Sequence, residues 1–303
     1  VADPDGILLL DKPPGYSSTR ALARAKRLLG ARKAGHTGTL DPFATGLLPL
    51  AFGEATKFSR FLIDSTKTYR ATLQLGQETT TGDTEGAISA QSLVDVSTQK
   101  IDEVLASFVG IQEQVPPMHS AVHVDGRRLY ELAREGIEVH RAARRVEILE
   151  LCRLSLDGDA LLVAVTCSKG TYVRTLAMDI GRSLGCGAYL TALRRTAVGS
   201  FRIEDAVALD ELERLGEQAS RGRLLPLELM VAGLPRWESS VEEALRFTQG
   251  QQIACPHAAE ADEFALYEPG GRFLGVGRCE APGRLAPLRL LATGHQAKRP
   301  DFA

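Results

Sequence analysis

Tyr69-Arg70-Ala71-Thr72-Leu73-Gln74-Leu75 alternates strictly, with Tyr69, Ala71, Leu73 and Leu75 on one side of an extended chain and Arg70, Thr72 and Gln74 on the other. That period of two predicts a strand with one buried face, closed by Gly76. Downstream, Val146 to Ser168 reads as two more strands joined at the turn signal Asp157-Gly158-Asp159. Upstream, Gly6-Ile7-Leu8-Leu9-Leu10 reads as a short buried strand that Asp11-Lys12-Pro13-Pro14-Gly15 brings to an end. Helical spacing appears between and after these strands. Ser17 or Ser18 can cap a helix carrying Ala21, Leu22, Ala25, Leu28 and Leu29 inward, with Gly30 as its stop. Ile101, Val104, Leu105, Phe108 and Val109 form a second apolar face, and Val173, Leu176, Ala177, Ile180 and Leu184 a third, in a helix over about 171–184. Residues 34–53 hold glycines at 35, 38, 46 and 53 and prolines at 42 and 49, so they are expected to form a shaped loop and no regular element.

The chain has 303 residues, room for about two domains. Hydrophobic residues at 44% and charged residues at 24% are ordinary for a globular protein and exclude disordered and fibrous classes. No apolar run approaches the roughly 18 residues of a membrane span, which excludes a transmembrane helix. The opening Val-Ala-Asp-Pro-Asp lacks the basic start and apolar core of a signal peptide, so a cytosolic address is expected. Cys152, Cys167, Cys186, Cys255 and Cys279 are odd in number and form no Cys-x-x-Cys pair, so they are read as reduced, mostly buried thiols. After Phe201 the texture turns acidic and leucine-rich over about 203–230. Pro235-Arg236-Trp237 then opens a region of short strands and turns, which places a domain boundary near Val231 to Pro235.

The formal net charge of -2, from 36 Lys+Arg against 38 Asp+Glu, hides a strong segregation. Between Asp11 and Asp41 stand Lys12, Arg20, Arg24, Lys26, Arg27, Arg32 and Lys33 without one acid. Ser168 to Arg195 carries five cations against Asp179 alone, whereas Glu204 to Glu243 holds ten acids against four arginines. Each cluster alone could be a solvated face. Two acid-poor blocks together favour a phosphate-rich ligand.

The loop Gly35-His36-Thr37-Gly38-Thr39-Leu40-Asp41-Pro42-Phe43-Ala44-Thr45-Gly46 sets a carboxylate and an imidazole among glycines, which let backbone approach a ligand closely. Asp41, ionised at neutral pH, could serve as a nucleophile, although an aspartate before proline also suits a turn or a helix cap. The phosphate-cradling Gly-x-x-x-x-Gly-Lys-Ser/Thr pattern is absent. An aspartyl phosphotransferase would carry a second aspartate where Phe43 stands. His119 and His123 have a spacing of four, but their β-branched, proline-flanked setting supplies no third metal ligand and fits surface or RNA-facing histidines. By itself Tyr69 reads as a core aromatic and Arg174 as a phosphate contact.

Four motifs in order change that balance: Gly6-Ile7-Leu8-Leu9-Leu10-Asp11-Lys12-Pro13-x-Gly15, Gly35-His36-Thr37-Gly38-Thr39-Leu40-Asp41-Pro42, Lys67-Thr68-Tyr69-Arg70 and Ser168-Lys169-Gly170-Thr171-Tyr172-Val173-Arg174. They resemble the TruB-type tRNA pseudouridine synthases. Thr81-Gly82-Asp83, Met118-His119-Ser120-Ala121 and Leu193-Arg194-Arg195 extend the resemblance over most of residues 6–200. It implies an α+β fold: a mixed, mainly antiparallel sheet with flanking helices over 1–232, and a small β-rich PUA-like RNA-binding domain over 233–303. That second domain is expected to be separable and to supply no catalytic group. The resemblance also implies that Asp41 is the nucleophile, that Tyr69 packs on the target uracil, and that Arg174 pairs with the catalytic carboxylate. His36 would help to displace the base, and Lys12, Asp83, Leu193, Arg24 and Arg27 would join it in RNA binding. The implied reaction isomerises the uridine at position 55 in the tRNA T loop, with no cofactor, metal, membrane or obligatory protein partner, by a monomer. Two other readings keep the same motifs, a noncatalytic tRNA chaperone and a guide-dependent synthase subunit.

Overall fold

The structure is a computed structural model that describes residues 3–118, 123–124, 127–129, 132, 135–137, 139–255, 261–281 and 283–292. Its strands and helices run in the order β1 (Gly6–Lys12), α1 (Ser18–Leu28), β2 (Ala34–His36), β3 (Thr45–Phe52), α2 (Ser59–Asp64), β4 (Lys67–Leu75), β5 (Gln77–Thr79), β6 (Ile88–Gln91), α3 (Thr98–Ser107) and β7 (Gly110–Gln114). There follow β8 (His123–Val124), β9 (Arg127–Arg128), β10 (Arg144–Asp157), β11 (Ala160–Cys167), α4 (Val173–Leu184), β12 (Ala188–Val198), β13 (Phe201–Arg202), β14 (Val207–Ala208) and α5 (Leu209–Gly222). The C-terminal part holds β15 (Arg236–Glu238), α6 (Val241–Thr248), β16 (Ile253–Ala254), β17 (Glu263–Tyr267), β18 (Phe273–Ala281) and β19 (Arg284–Leu290).

A ten-stranded sheet runs β14-β1-β3-β12-β4-β11-β10-β7, with β2 added on β3 and β13 on β12. The β1–β14 and β3–β12 pairs are parallel and the others antiparallel, which makes it the mixed, mainly antiparallel sheet of an α+β fold. Side chains of α1, α3, α4 and α5 pack on one face, against Leu8, Leu10, Leu48, Leu50, Ala71, Leu73, Val163 and Val165. On the opposite face Ile7, Leu9, Leu47 and Ala51 meet the helical turns around Phe58 and Met230 and the second sheet. Strand β1 therefore has no polar side to show, because both its faces are covered. In β4 only alternate residues are buried, as the sequence pattern requires.

The five-stranded sheet β15-β17-β18-β19-β16 builds its own core from Trp237, Phe247, Phe264, Leu266 and Leu285. Its other side, through Ala265, Phe273 and Val276, joins the core formed by Ile7, Leu9 and Phe58 of the large sheet. Glu263 accepts hydrogen bonds from Arg60 of the large unit and from Arg278. Among the described residues no helix is long and apolar enough to cross a membrane.

Two elements correct the sequence reading of 34–53: Ala34–His36 forms β2, paired with β3. Residues 45–52, expected as part of an irregular loop, form strand β3, buried except at Thr45. Both punctuating residues have a local reason to be there. Gly46 adopts φ +102°, and a Cβ there would stand 2.3 Å from the Arg195 carbonyl oxygen. Pro49 lies between the part of β3 paired with β12, at residues 45–46, and the part paired with β2, at residues 50–52. Its carbonyl accepts from the Thr37 amide at 3.1 Å on the side away from β1, so its ring nitrogen faces that gap and no ladder bond is lost. The thiols are mostly buried, as expected, with Cys279 half-buried and Cys152 exposed.

Candidate active site

The candidate site is a cleft of about 670 Å³ between the 38–41 loop, the end of α2, strands β4, β10 and β12, and the turn that leads into α4. Tyr69 and Arg195 are direct neighbours across the β4–β12 pair, and Leu193 and Lys67 lie in phase with them on the same face. Arg174 enters from the first turn of α4 and Asp41 from the loop before β3.

Arg174 joins two carboxylates. Its Nε lies 3.0 Å and its Nη2 3.3 Å from the oxygens of Asp41, while Nη1 is 3.2 Å from Asp83 Oδ2. The Arg174 side chain is 5% exposed and that of Asp83 2%, whereas Asp41 is 33% exposed, into the cleft. Asp83 is fixed in turn by the Thr81 hydroxyl at 2.5 Å and the Glu85 amide at 3.0 Å. Burial raises the Asp41 pKa above the ordinary carboxylate value, Arg174 opposes that rise, and Asp83 adds to it. The forked Arg174 contact fixes the direction of the Asp41 oxygens, and the open third of the side chain is the part a substrate could reach.

Buried groups hold the Asp41 loop on both sides. Ser18 Oγ donates to the Leu40 carbonyl at 3.1 Å and accepts from the Leu40 amide at 2.8 Å, leaving Ser17 as the α1 cap. Lys12 Nζ donates to the carbonyls of Pro13, Tyr16 and Pro42 at 2.9, 2.6 and 3.3 Å. Arg195 donates to Leu47, Thr39 and Gly38 carbonyls at 2.7, 3.4 and 3.2 Å. Lys67 closes the C-terminal end of α2 through the carbonyls of Leu62, Ile63 and Ser65 at 3.0, 2.6 and 2.6 Å. Burial lowers Lys12 and Lys67 to a pKa of about 8 each. Burial raises the Tyr69 pKa, and the neighbouring Arg195 opposes it.

The structure thus brings Asp41, Tyr69, Arg174, Asp83 and Leu193 to the cleft or its support. Lys12 lies elsewhere than an RNA contact would: it is fully buried, and its ammonium is occupied by carbonyls. Asp83 likewise faces Arg174 and not solvent. Arg24 is bonded at 2.6 Å to Glu213 of α5, and Arg27 is exposed on α1. His36 is half-buried on β2; among the described residues its buried Nδ1 has no hydrogen-bond partner, and burial together with Arg195 lowers its pKa. His119 falls outside the described residues, and His123 begins the short β8. Sequence reasoning gave Ser18, Lys67 and Arg195 no part in the site. The available signal was a cation at an inward position of an alternating strand, Lys67 in phase with Tyr69 and Arg195 in phase with Leu193.

Residues 26–173 match the model of the TruB family pseudouridylate synthase N terminal domain, 174–232 that of the tRNA pseudouridylate synthase B C-terminal domain, and 237–291 that of the pseudouridine synthase II TruB C-terminal region. A tRNA pseudouridine synthase B of Aromatoleum aromaticum is 54% identical over 289 residues, 95% of this chain and 93% of its own length. The chain belongs to the TruB family of pseudouridylate synthases. Another member, the tRNA pseudouridine synthase B of Dechloromonas aromatica, is 51% identical over 287 residues, 95% of each chain. Among solved structures, a chain of a Cbf5-Nop10-Gar1 complex superposes with a TM-score of 0.73 at 26% identity, covering 97% of this chain and 85% of that one. A chain of an H/ACA RNP bound to a substrate RNA containing 2'-deoxyuridine gives 0.72 at 25% identity, over 95% and 85%. The family's fold, with its β-rich C-terminal domain, accounts for both sheets.

Proposed function

We propose that this enzyme isomerises uridine 55 in the T loop of tRNA to pseudouridine, with Asp41 as nucleophile. The observation that carries the assignment to Asp41 is its position: a carboxylate open to the cleft on one side and held by the Arg174 fork on the other. Such a cleft admits a base only after it leaves its stack, so the target nucleotide is flipped in, with Tyr69 offering a ring face to the uracil. The N1–C1' bond then breaks, the ring turns while held, C5 bonds to C1', the C5 proton is released, and the freed N1 takes up a proton in its place. Bond making and breaking balance within the nucleotide, so no redox partner enters the equation. Arg174 keeps the carboxylate oriented and charged, and Asp83 keeps Arg174 in place from behind.

His36, Leu193 and Arg27 are proposed to meet the RNA around the flipped base. The likeness to relatives named tRNA pseudouridine synthase B, at about half identity over nearly the whole chain, supports tRNA as the substrate, and the proposal takes the enzyme as a stand-alone cytoplasmic monomer acting without guide RNA. The test is purified protein with transcribed tRNA alone, followed by tritium release from C5. Asp41→Asn is expected to abolish turnover while tRNA affinity stays within a few-fold, because the amide keeps the shape and loses the nucleophilic oxygen. More than a trace of single-turnover product from the variant would remove Asp41 from the mechanism.

A further inference from the structure

The cleft lining carries six cations, Lys67, Arg144, Arg145, Lys169, Arg174 and Arg195, against two carboxylates, Asp41 and Asp64. This net positive mouth belongs to a chain whose formal net charge is -2. Four of the six cations are committed. Lys67 and Arg195 hold carbonyls, Arg174 holds Asp41 and Asp83, and Lys169 Nζ lies 2.7 Å from Asp64. Arg144 and Arg145 are different: both are exposed at the start of β10, and among the described residues neither pairs with a carboxylate.

Their neighbours fix where they stand. Arg144 is directly opposite Gln114 on the edge strand β7. The buried Gln114 amide accepts from the Tyr172 backbone N–H at 2.9 Å and donates from Nε2 to the Tyr172 carbonyl at 3.4 Å. Opposed residues share a sheet face, so Arg144 stands on the face that leads through Tyr172 to Arg174 and Asp41. Arg145, one residue on, points to the other face of the strand, where Glu113 lies across from it, and reaches the rim of the cleft from there.

Helix α1, where the sequence concentrates its positive charge, is in a different state. Arg24 is taken by Glu213 and the Arg20 guanidinium lies 4.3 Å from the Tyr16 ring centre, while Lys12 of β1, in the same basic stretch of sequence, is buried. The acidic helix α5 lies against α1 and masks part of its charge.

We propose that Arg144 and Arg145 form a phosphate-gripping lip, which takes the RNA backbone beside the nucleotide that enters the cleft, and that this lip carries more of the phosphate contact than α1 does. The proposal rests on the reading of the cleft as the RNA site. A flipped nucleotide brings its base to Asp41 but leaves its flanking phosphates at the mouth, where two exposed guanidiniums match phosphate oxygens in charge and fork geometry.

The test measures the Kd of the intact protein for transcribed tRNA across a salt series, for Arg144→Gln/Arg145→Gln and for Arg24→Gln/Arg27→Gln. Two lost phosphate contacts should flatten the slope of log K against log salt by about 1.4 to 1.8. We expect Kd near physiological salt to rise at least tenfold for the lip pair, with kcat at saturating tRNA within threefold of wild type. The α1 pair should lose less than half as much slope. An unchanged slope in the lip pair, a larger loss in the α1 pair, or a collapse of kcat with Kd unchanged would each overturn the proposal. Asp41→Asn run in parallel separates the two readings: turnover by that variant refutes the assignment of the nucleophile, whereas the lip stands or falls on binding alone. Both arginines are exposed, so matched thermal midpoints of variant and wild type exclude misfolding as the cause.

Discussion

Replacing Phe273 by alanine removes the ring through which the two sheets are joined. Phe273 is 1% exposed, with its centroid 5.5 Å from Phe58 of the large unit and 5.3 Å from Tyr267 of its own sheet. Around it Lys57 Nζ donates to the Leu290 carbonyl at 3.2 Å, the Ala292 amide donates to Glu54 at 2.7 Å, and Arg60 holds Glu263. Truncating a buried phenylalanine costs about 3 to 5 kcal/mol, a large part of the roughly 5 to 15 kcal/mol that separates folded from unfolded protein. At about 2 to 4 °C per kcal/mol the unfolding midpoint should fall by roughly 6 to 20 °C. The chain contains a single tryptophan, Trp237, which sits in the C-terminal sheet with its ring edge-on to Phe264. Its fluorescence therefore reports that sheet, while single-turnover activity reports the large one. Because one apolar core runs through both, the two signals are expected to fall together in wild type and in Phe273→Ala. Two transitions in wild type, with Phe273→Ala shifting only the Trp237 signal, would refute the shared core as a structural unit. The same reasoning changes what a chain cut near Ala232 should do: it would uncover Leu9, Leu47 and Phe58, and is expected to precipitate and not to survive as a separable catalytic module.

Two further outcomes follow from the cleft. Burial holds the Asp41 pKa above the usual carboxylate range and Arg174 opposes this, so kcat should rise with pH along an acid limb as Asp41 loses its proton. Arg174→Lys replaces the fork by a point charge and should lower kcat at least tenfold and move that limb to higher pH; a limb that stays in place would remove Arg174 from the control of Asp41. Tyr69→Phe keeps the stacking face and the core packing, so tRNA Kd should stay within threefold. A fall in single-turnover rate would assign the hydroxyl a part in proton handling, and a wild-type rate would leave stacking as its whole contribution.

The regular elements were legible where one physical rule dominated. Strand β4 and helices α1, α3 and α4 each bury one face against one core, so periods of 2 and 3.6 appear directly in the residue order. Strand β3 was not legible because its two apparent breakers answer to partners far away in sequence, Gly46 to the Arg195 backbone and Pro49 to the gap between β12 and β2. The shared core was hidden for a related reason. Nothing in Phe58 or Phe273 alone says that they meet, and the change of texture after Phe201 suggested a cleaner separation than the packing has.

In the site, the sequence showed charge without showing its partners. Lys12, Arg24 and Arg27 look alike in a count of cations, yet one is sealed among carbonyls, one is paired with Glu213, and one is exposed. A buried cation can be satisfied by backbone carbonyls, which every residue carries, so no complementary acid marks its position in the sequence. Arg195 illustrates the consequence: while standing beside Tyr69 it ties Gly38 and Thr39, just before Asp41, to Leu47 beyond it through three main-chain carbonyls. Asp83 is the opposite case, an acid whose motif was visible but whose target was not, because the Arg174 side chain that it holds arrives on another element. The motifs therefore converge on one cleft, while the division of labour proposed there between reacting and supporting charges depends on which face of each strand is closed to water.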